Sequence, residues 1–281
     1  MRNIIIVGAN SAIAKAVIPT LANDNRVITV GRGDCDIYCD INNVIKLPDN
    51  ADVLINFAAA LGGESDQDIL DNIETNIKGV LKLCMAAKKS GIRHFIQIST
   101  IYTKLNEDSA NYSTYSITKK HADELLSFYS RKNNLNLTIL KPSQVYGDST
   151  DFAKNQPFLY QIIDHASKGE DIIIYGKHDP ARNFIHVSDI GEIIRRVVDM
   201  GLIGTYELTN PNNVYFSELA QIAQRIYVKG GSILFQKDKP DIEDNIFAYN
   251  SMIYDKTGYS PRIDMEEGIQ RIKNNLEDSS E

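Results

Sequence analysis

The sequence predicts an α/β fold, a doubly wound parallel sheet accompanied by a smaller second lobe. Three observations carry that expectation. Short β-branched runs alternate with helical stretches through the first half, those runs are apolar throughout, and the texture changes after Tyr146-Gly147. Continuous apolar strands suit a parallel sheet covered on both faces, and repeated strand–helix–strand units build one. Strands are expected at residues 4–7, 27–30, 53–57, 95–98 and 137–141, with helices near 12–22, 68–90 and 115–131. Pro19 falls inside the first helix, where it removes a donor and crowds the preceding turn. Only about 24 residues separate the second strand from the third, so that crossover is abbreviated. Further on, 147–157 reads as loop, 158–168 as helix, 171–175 as strand, 184–200 as helix and 274–281 as a frayed tail.

The bulk numbers narrow the class. A chain of 281 residues can bury a full core, and 43% hydrophobic with 24% charged residues is ordinary for a soluble globular protein. A net charge of -7 argues against a nucleic-acid backbone as partner. No apolar stretch approaches the ~20 residues of a membrane span, and the run before the first glycine is too short for a signal peptide. Cys35, Cys39 and Cys84 are odd in number and the five histidines are scattered. Neither a metal site nor a disulfide scaffold is expected, and a reducing cytoplasm fits.

The first strand ends in Gly8-Ala9-Asn10-Ser11-Ala12-Ile13-Ala14. As G-x-x-G-x-x-G it keeps Gly8 and puts the small residues Ser11 and Ala14 at the other two places, so a pyrophosphate can still approach the backbone. The helix N-terminus behind it supplies N–H groups and partial positive charge. This is the signature of a Rossmann-type nucleotide site. The second strand ends in Gly31-Arg32-Gly33 without the carboxylate that selects NAD. Arg32 can pair with a 2′-phosphate, which favours NADP, while Asp34 and Asp36 keep NAD as the alternative. The expected division is residues 1–147 with about 183–210 as the dinucleotide-binding domain, and 148–182 with 211–281 as the substrate lobe.

Tyr115 and Lys119 lie four apart in a helical stretch, so both point to one face. A tyrosine titrates near ~10 in isolation, and a fixed cation favours its phenolate; a drop of roughly three units would need about 4 kcal/mol. With the Thr100 hydroxyl to hold the substrate oxygen, the set is a proton-transfer device for a carbonyl/alcohol pair.

Eight segments in order then resemble the extended short-chain dehydrogenase/reductase superfamily, in its NAD(P)-dependent nucleotide-sugar epimerase/dehydratase/reductase group. They are the glycine turn, Cys39-Asp40-Ile41, Asn56-Phe57-Ala58-Ala59, Asn76-Ile77-Lys78-Gly79, His94-Phe95-Ile96-Gln97-Ile98-Ser99-Thr100, Tyr115-x-x-x-Lys119, Lys141-Pro142-Ser143-Gln144-Val145-Tyr146-Gly147 and Arg182-Asn183-Phe184-Ile185-His186-Val187-Ser188-Asp189. The resemblance implies that Gly8, Asn10, Ser11, Ala12, Ile13 and Arg32 bind the cofactor. Asp40 and Ile41 would flank the adenine, Phe57, Ala58, Ala59 and Ala60 would line the pyrophosphate and ribose, and Asn76 and Ile98 would complete the site. Thr100, Tyr115 and Lys119 would be catalytic, with Tyr115 as acid/base and Lys119 also on the nicotinamide ribose. Pro142, Ser143, Gln144 and Val145 would sit beside the nicotinamide. Thr100, Tyr115 and Arg182 would meet the substrate, Arg182 at its diphosphate, while His186 reads as a packed core residue and Asp189 as a brace.

Dehydratases of the group place Asp-Glu directly after the threonine. Here Ile101-Tyr102 follow, and Lys141 stands where arginine is usual. The resemblance therefore implies an NADP- or NAD-dependent reductase of a 4-keto-6-deoxy sugar nucleotide, with a 4-epimerase holding NAD tightly as the alternative. A dinucleotide sensor without chemistry is the third reading. A homodimer paired through the two long helices is expected by analogy.

Overall fold

The computed structural model describes residues 1–278 of the chain. One compact unit comprises Met1–Pro142, Gly191–Leu208 and Met252–Gly258. Its strands are β1 (Asn3–Val7), β2 (Arg26–Gly31), β3 (Ile37–Tyr38), β4 (Val53–Asn56), β5 (His94–Ile98), β6 (Asn136–Pro142) and a last strand, Gly204–Leu208. They lie in the order β3-β2-β1-β4-β5-β6-Gly204–Leu208, every pair parallel. This is the doubly wound sheet the apolar runs predict, with its order reversing between β1 and β4. Ligands of such sheets bind outside the carboxyl ends of the strands at that reversal. Ile5, Leu54 and Phe95 are fully buried in it, each worth about 1.5–3 kcal/mol of burial.

Helix α1 (Ala12–Ala22) runs through Pro19 and buries Ala14, Val17 and Leu21. The proline has no N–H to give the preceding turn, and packing along that apolar stripe carries the helix past it. The crossover from β2 to β4 contains β3 and turns but no helix among the described residues, which is how so short a segment spans it.

The helix expected over 68–90 is three pieces: α2 (Asp66–Asn72), a π-helical segment (Ile73–Gly79) and α3 (Val80–Lys89). Ser65 and Asp68 cap its start reciprocally. The wider winding turns Asn72 and Asn76 inward together, fully buried, with Asn76 Nδ2 donating to Asn72 Oδ1 at 3.0 Å. Helix α4 (Thr114–Asn133) starts at a Ser113–Ser116 capping box and stops at Asn134 in the left-handed region.

The second unit comprises Ser143–Ile190, Thr209–Ser251 and the chain from Tyr259 onward. It holds α5 (Pro157–Lys168), the start of α6 (Val187–Met200), α7 (Phe216–Tyr227), the helix Met265–Asp278 and three two-stranded pairings. Two expectations change here. Residues 184–186 are a strand paired with Gln144–Tyr146, and the helix starts only at Val187. The tail is helical as far as Asp278, because Ile269 and Ile272 bury one face of it; the last three residues of the expected tail lie outside the described residues. Among the described residues no helix is long and apolar enough to cross a membrane.

Candidate active site

Gly8 closes β1 with φ +76, its N–H donating to Val30 O at 2.9 Å. A Cβ there would lie 2.5 Å from Ala58 N, at the end of β4. Glycine is needed both for the left-handed turn and for the approach of the two strand ends. Ser11 is more than a small substitute for glycine. Its hydroxyl caps α1, accepting from Ala14 N at 3.2 Å, so the N–H groups of Ala12 and Ile13 remain at the helix start as phosphate donors.

Asn10 ties this turn to the β2–β3 loop, its amide oxygen accepting from Gly33 N at 3.1 Å and its nitrogen donating to Asp34 O at 3.2 Å. A cavity of about 410 Å³ opens here, walled by Gly8, Ser11, Arg32, Asp40, Ile41 and Ala58 among others. Asn10, Phe57 and Ala59 line it too. Asp36 is engaged with Thr29, its Oδ2 accepting from Thr29 N at 2.8 Å and from Thr29 Oγ1 at 2.7 Å. Those two bonds hold its carboxyl below the usual range. Arg32 is left as the exposed charged side chain that this loop gives the cavity.

Ala60, Asn76 and Ile98 are not among the cavity walls, and Asn76 and Ile98 have other work. Asn76 accepts from Ala60 N and donates to Ala60 O, both at 2.9 Å, and donates to Thr118 Oγ1 at 3.1 Å. Its polar atoms are spent on protein, so it fastens the 58–60 strand end to α4 and does not face a ligand.

The Ile98 carbonyl holds Lys119, whose Nζ donates to it at 2.7 Å from a side chain that is almost wholly buried. Thr100, two residues beyond β5, accepts from Tyr102 N at 3.2 Å and is hydrogen-bonded to the Tyr115 phenol. Helix α4 thus brings Tyr115 and Lys119 to the end of β5, one helical turn apart. Burial is the largest influence on Tyr115 and pushes its pKa up, Tyr102 and Asp123 add to that, and the Thr100 hydrogen bond only partly offsets it. Burial pushes the Lys119 ammonium down to about 8, with Asp123 working against it.

In the second unit, Ser143 Oγ and Gln144 Oε1 are buried without hydrogen-bond partners among the described residues. Arg182 is buried over the Phe216 ring at 5.1 Å, with Nη1 donating to Ala181 O at 3.0 Å and to Glu243 O at 2.5 Å. His186 is fully buried against Tyr146 and bonded to Asp148 Oδ1 at 2.9 Å. Both carboxylate oxygens of Asp189 brace the 259–263 segment, through the Tyr259 hydroxyl and the Arg262 and Ile263 N–H groups.

The family model described as the NAD dependent epimerase/dehydratase family matches residues 4–207. The chain belongs to that family. Among its relatives is the dTDP-glucose 4,6-dehydratase of Mycobacterium tuberculosis, 28% identical over 278 residues, covering 89% of this chain and 78% of that protein. The UDP-glucose 4-epimerase of Thermotoga maritima, solved with UDP-glucose, has a TM-score of 0.80 at 21% identity and covers 99% of this chain and 100% of its own. RMD of Pseudomonas aeruginosa, solved with NADPH, has a TM-score of 0.81 at 17% identity, covering 99% and 100%.

In this epimerase/dehydratase chain the structure also brings forward residues that sequence reasoning passed over. Cys39, Asn42 and Thr75 line the cavity, with Asn42 Nδ2 donating to Thr75 Oγ1 at 3.0 Å. Asp123, on the Tyr115 face of α4, is buried and paired with Lys141 at 3.0 Å. Its signal in the sequence was spacing alone, four residues beyond Lys119.

Proposed function

We propose that the chain is an NAD(P)-dependent oxidoreductase that reduces a 4-keto-6-deoxy sugar carried on a nucleotide. The observation that carries this reading is the half-buried Tyr115 phenol, bonded to Thr100 one helical turn before a lysine anchored on Ile98 O. When bound, the nicotinamide dinucleotide supplies the hydride. Tyr115 gives its proton to the sugar carbonyl oxygen, Thr100 orients that oxygen, and Lys119 holds the ribose and stabilises the phenolate left behind. Positioned proton transfer of this kind contributes about 10²–10⁴ in rate.

The cavity suits the dinucleotide. Gly8, Ser11 and the Ala12 and Ile13 N–H groups would take the pyrophosphate, Asp40 and Ile41 the adenine end, and Arg32 a 2′-phosphate. NADPH is favoured because Asp36 is committed to Thr29 while Arg32 faces the cavity, and the Pseudomonas relative of the same fold binds NADPH. Ser143, Gln144 and Arg182 are the polar groups the second unit would offer a sugar nucleotide. Dehydration is disfavoured although the Mycobacterium relative is a dehydratase, since Ile101 is fully buried hydrocarbon with no proton to move. A homodimer would pair through α2–α3 and α4, where Leu70 and Phe128 are exposed.

The 4-epimerase reading draws on the Thermotoga relative and uses the same three residues. Incubation with NADPH and dTDP- or UDP-linked 4-keto-6-deoxy sugars separates the readings. One NADPH oxidised per sugar reduced supports the reductase. Interconversion of 4-epimers without NADPH loss supports the epimerase, and firm binding without turnover of either kind supports the sensor.

A further inference from the structure

We infer that Asp123 is the positioning residue of this proton-transfer face: through Ser99 and Lys141 it fastens the end of β5, and from one helical turn away it serves as the buried counterion of Lys119. The inference rests on the reading of Tyr115 and Lys119 as the reacting pair.

Asp123 lies on α4 four residues beyond Lys119 and eight beyond Tyr115, so all three project from one face. It is 6% exposed. Its Oδ2 accepts from the Ser99 hydroxyl at 2.8 Å and from the Lys141 ammonium at 3.0 Å. Lys141 Nζ also donates to Thr103 Oγ1 at 2.9 Å, and the Thr103 hydroxyl donates to Thr100 O at 3.1 Å. One carboxylate therefore reaches both sides of the residue that bonds the Tyr115 phenol. Meanwhile Lys119 is clamped on Ile98 O, one residue before Ser99.

A buried carboxylate is costly unless every oxygen is satisfied. Here Oδ1 is buried with no hydrogen-bond partner among the described residues; burial pushes the Asp123 carboxyl up, and Lys141, Lys119 and the Ser99 hydroxyl oppose that rise. The titratable groups that face it are Tyr115 and Lys119 from α4 and Lys141 from β6, while Tyr102, from the turn after Thr100, acts on Tyr115. Without Asp123 two lysines would share a buried site with no counterion. Burial pushes Lys119 down to about 8, and the Asp123 charge is the influence that opposes the fall.

The full-length protein carrying lysine labelled with ¹³C at Cε tests this by NMR titration, with the Lys119 resonance assigned from its loss in Lys119→Arg. The wild-type resonance is expected to titrate near the value of about 8, and Asp123→Asn should lower that midpoint by about one pH unit, the size a nearby charge commonly contributes. Asp123→Glu keeps the charge and should restore the midpoint. An unchanged midpoint in Asp123→Asn, or an equal displacement in Asp123→Glu, would mean that Asp123 only packs and would overturn the inference. The titration needs no substrate, so its failure is separate from that of the Tyr115 reading, which turnover of Tyr115→Phe tests.

Discussion

The turn at Gly8 and the Tyr115 face of α4 both stand where a strand hands over to a helix, yet they are made of different material. The turn offers backbone: a glycine in the left-handed region, a capped helix start and two N–H groups. Its side chains need only be small, and so Ser11 and Ala14 serve where glycines are commoner. The α4 face offers side chains. Thr100, Tyr115, Lys119 and Asp123 are buried or half-buried there, with Tyr115 bonded to Thr100, Lys119 to Ile98 O, and Asp123 to Ser99 and Lys141. A backbone site tolerates sequence change and is broken by shape; a side-chain site tolerates little and is moved by charge and pH.

Shape is the way to break the turn, and it gives the largest stability effect. Gly8→Ala sets a methyl against the Ala58 backbone at a positive φ. It should cost about 3 kcal/mol and abolish NADPH binding, measured by urea unfolding and nucleotide fluorescence.

The strand that delivers Thr100 shows how pH acts on the other region. His94, at the start of β5, is bonded to Thr138 Oγ1 at 2.8 Å, and burial lowers its pKa from 6.5 to about 4. Below pH 6.5 the unfolded chain takes up a proton that the folded chain refuses. The stability present above that pH is therefore lost as pH falls toward 4, by about 3 kcal/mol in all. His94→Gln should flatten urea midpoints across that window; an unchanged slope would show that the burial of His94 is not what sets it.

The smallest expected effect sharpens the cofactor half of the comparison. Arg32→Ala removes a charge from the cavity wall without touching the turn. NADPH affinity should fall about tenfold, roughly 1.4 kcal/mol, with NADH affinity unchanged. Equal losses for both nucleotides would mean that Arg32 does not read the 2′-phosphate.

How far the sequence could be read follows the same divide. The parallel strands and α1 were legible because buried apolar runs and a glycine turn leave a local pattern. The π segment was not, since one extra residue per turn hides within an amphipathic stretch, and only Asn76 bonded to Ala60 and Thr118 reveals its use. The strand at 184–186 leaves no local pattern, because its pairing partner at residues 144–146 is distant in sequence. Tyr115 and Lys119 were visible by spacing and neighbouring motifs, but the direction of the phenol's shift was not. Burial is the largest influence on it, and burial depends on packing that no local pattern states. Asp123 shows in the sequence only as a spacing, for a related reason: a carboxylate on a polar helix reads as solvated until Ser99 and Lys141 close over it.

The most direct test of the account is turnover of Tyr115→Phe against a 4-keto-6-deoxy sugar nucleotide with NADPH, alongside cofactor affinity and melting temperature. The account predicts a loss of about 10²–10⁴ in kcat with affinity and melting temperature unchanged. Turnover within a few-fold of wild type would contradict it.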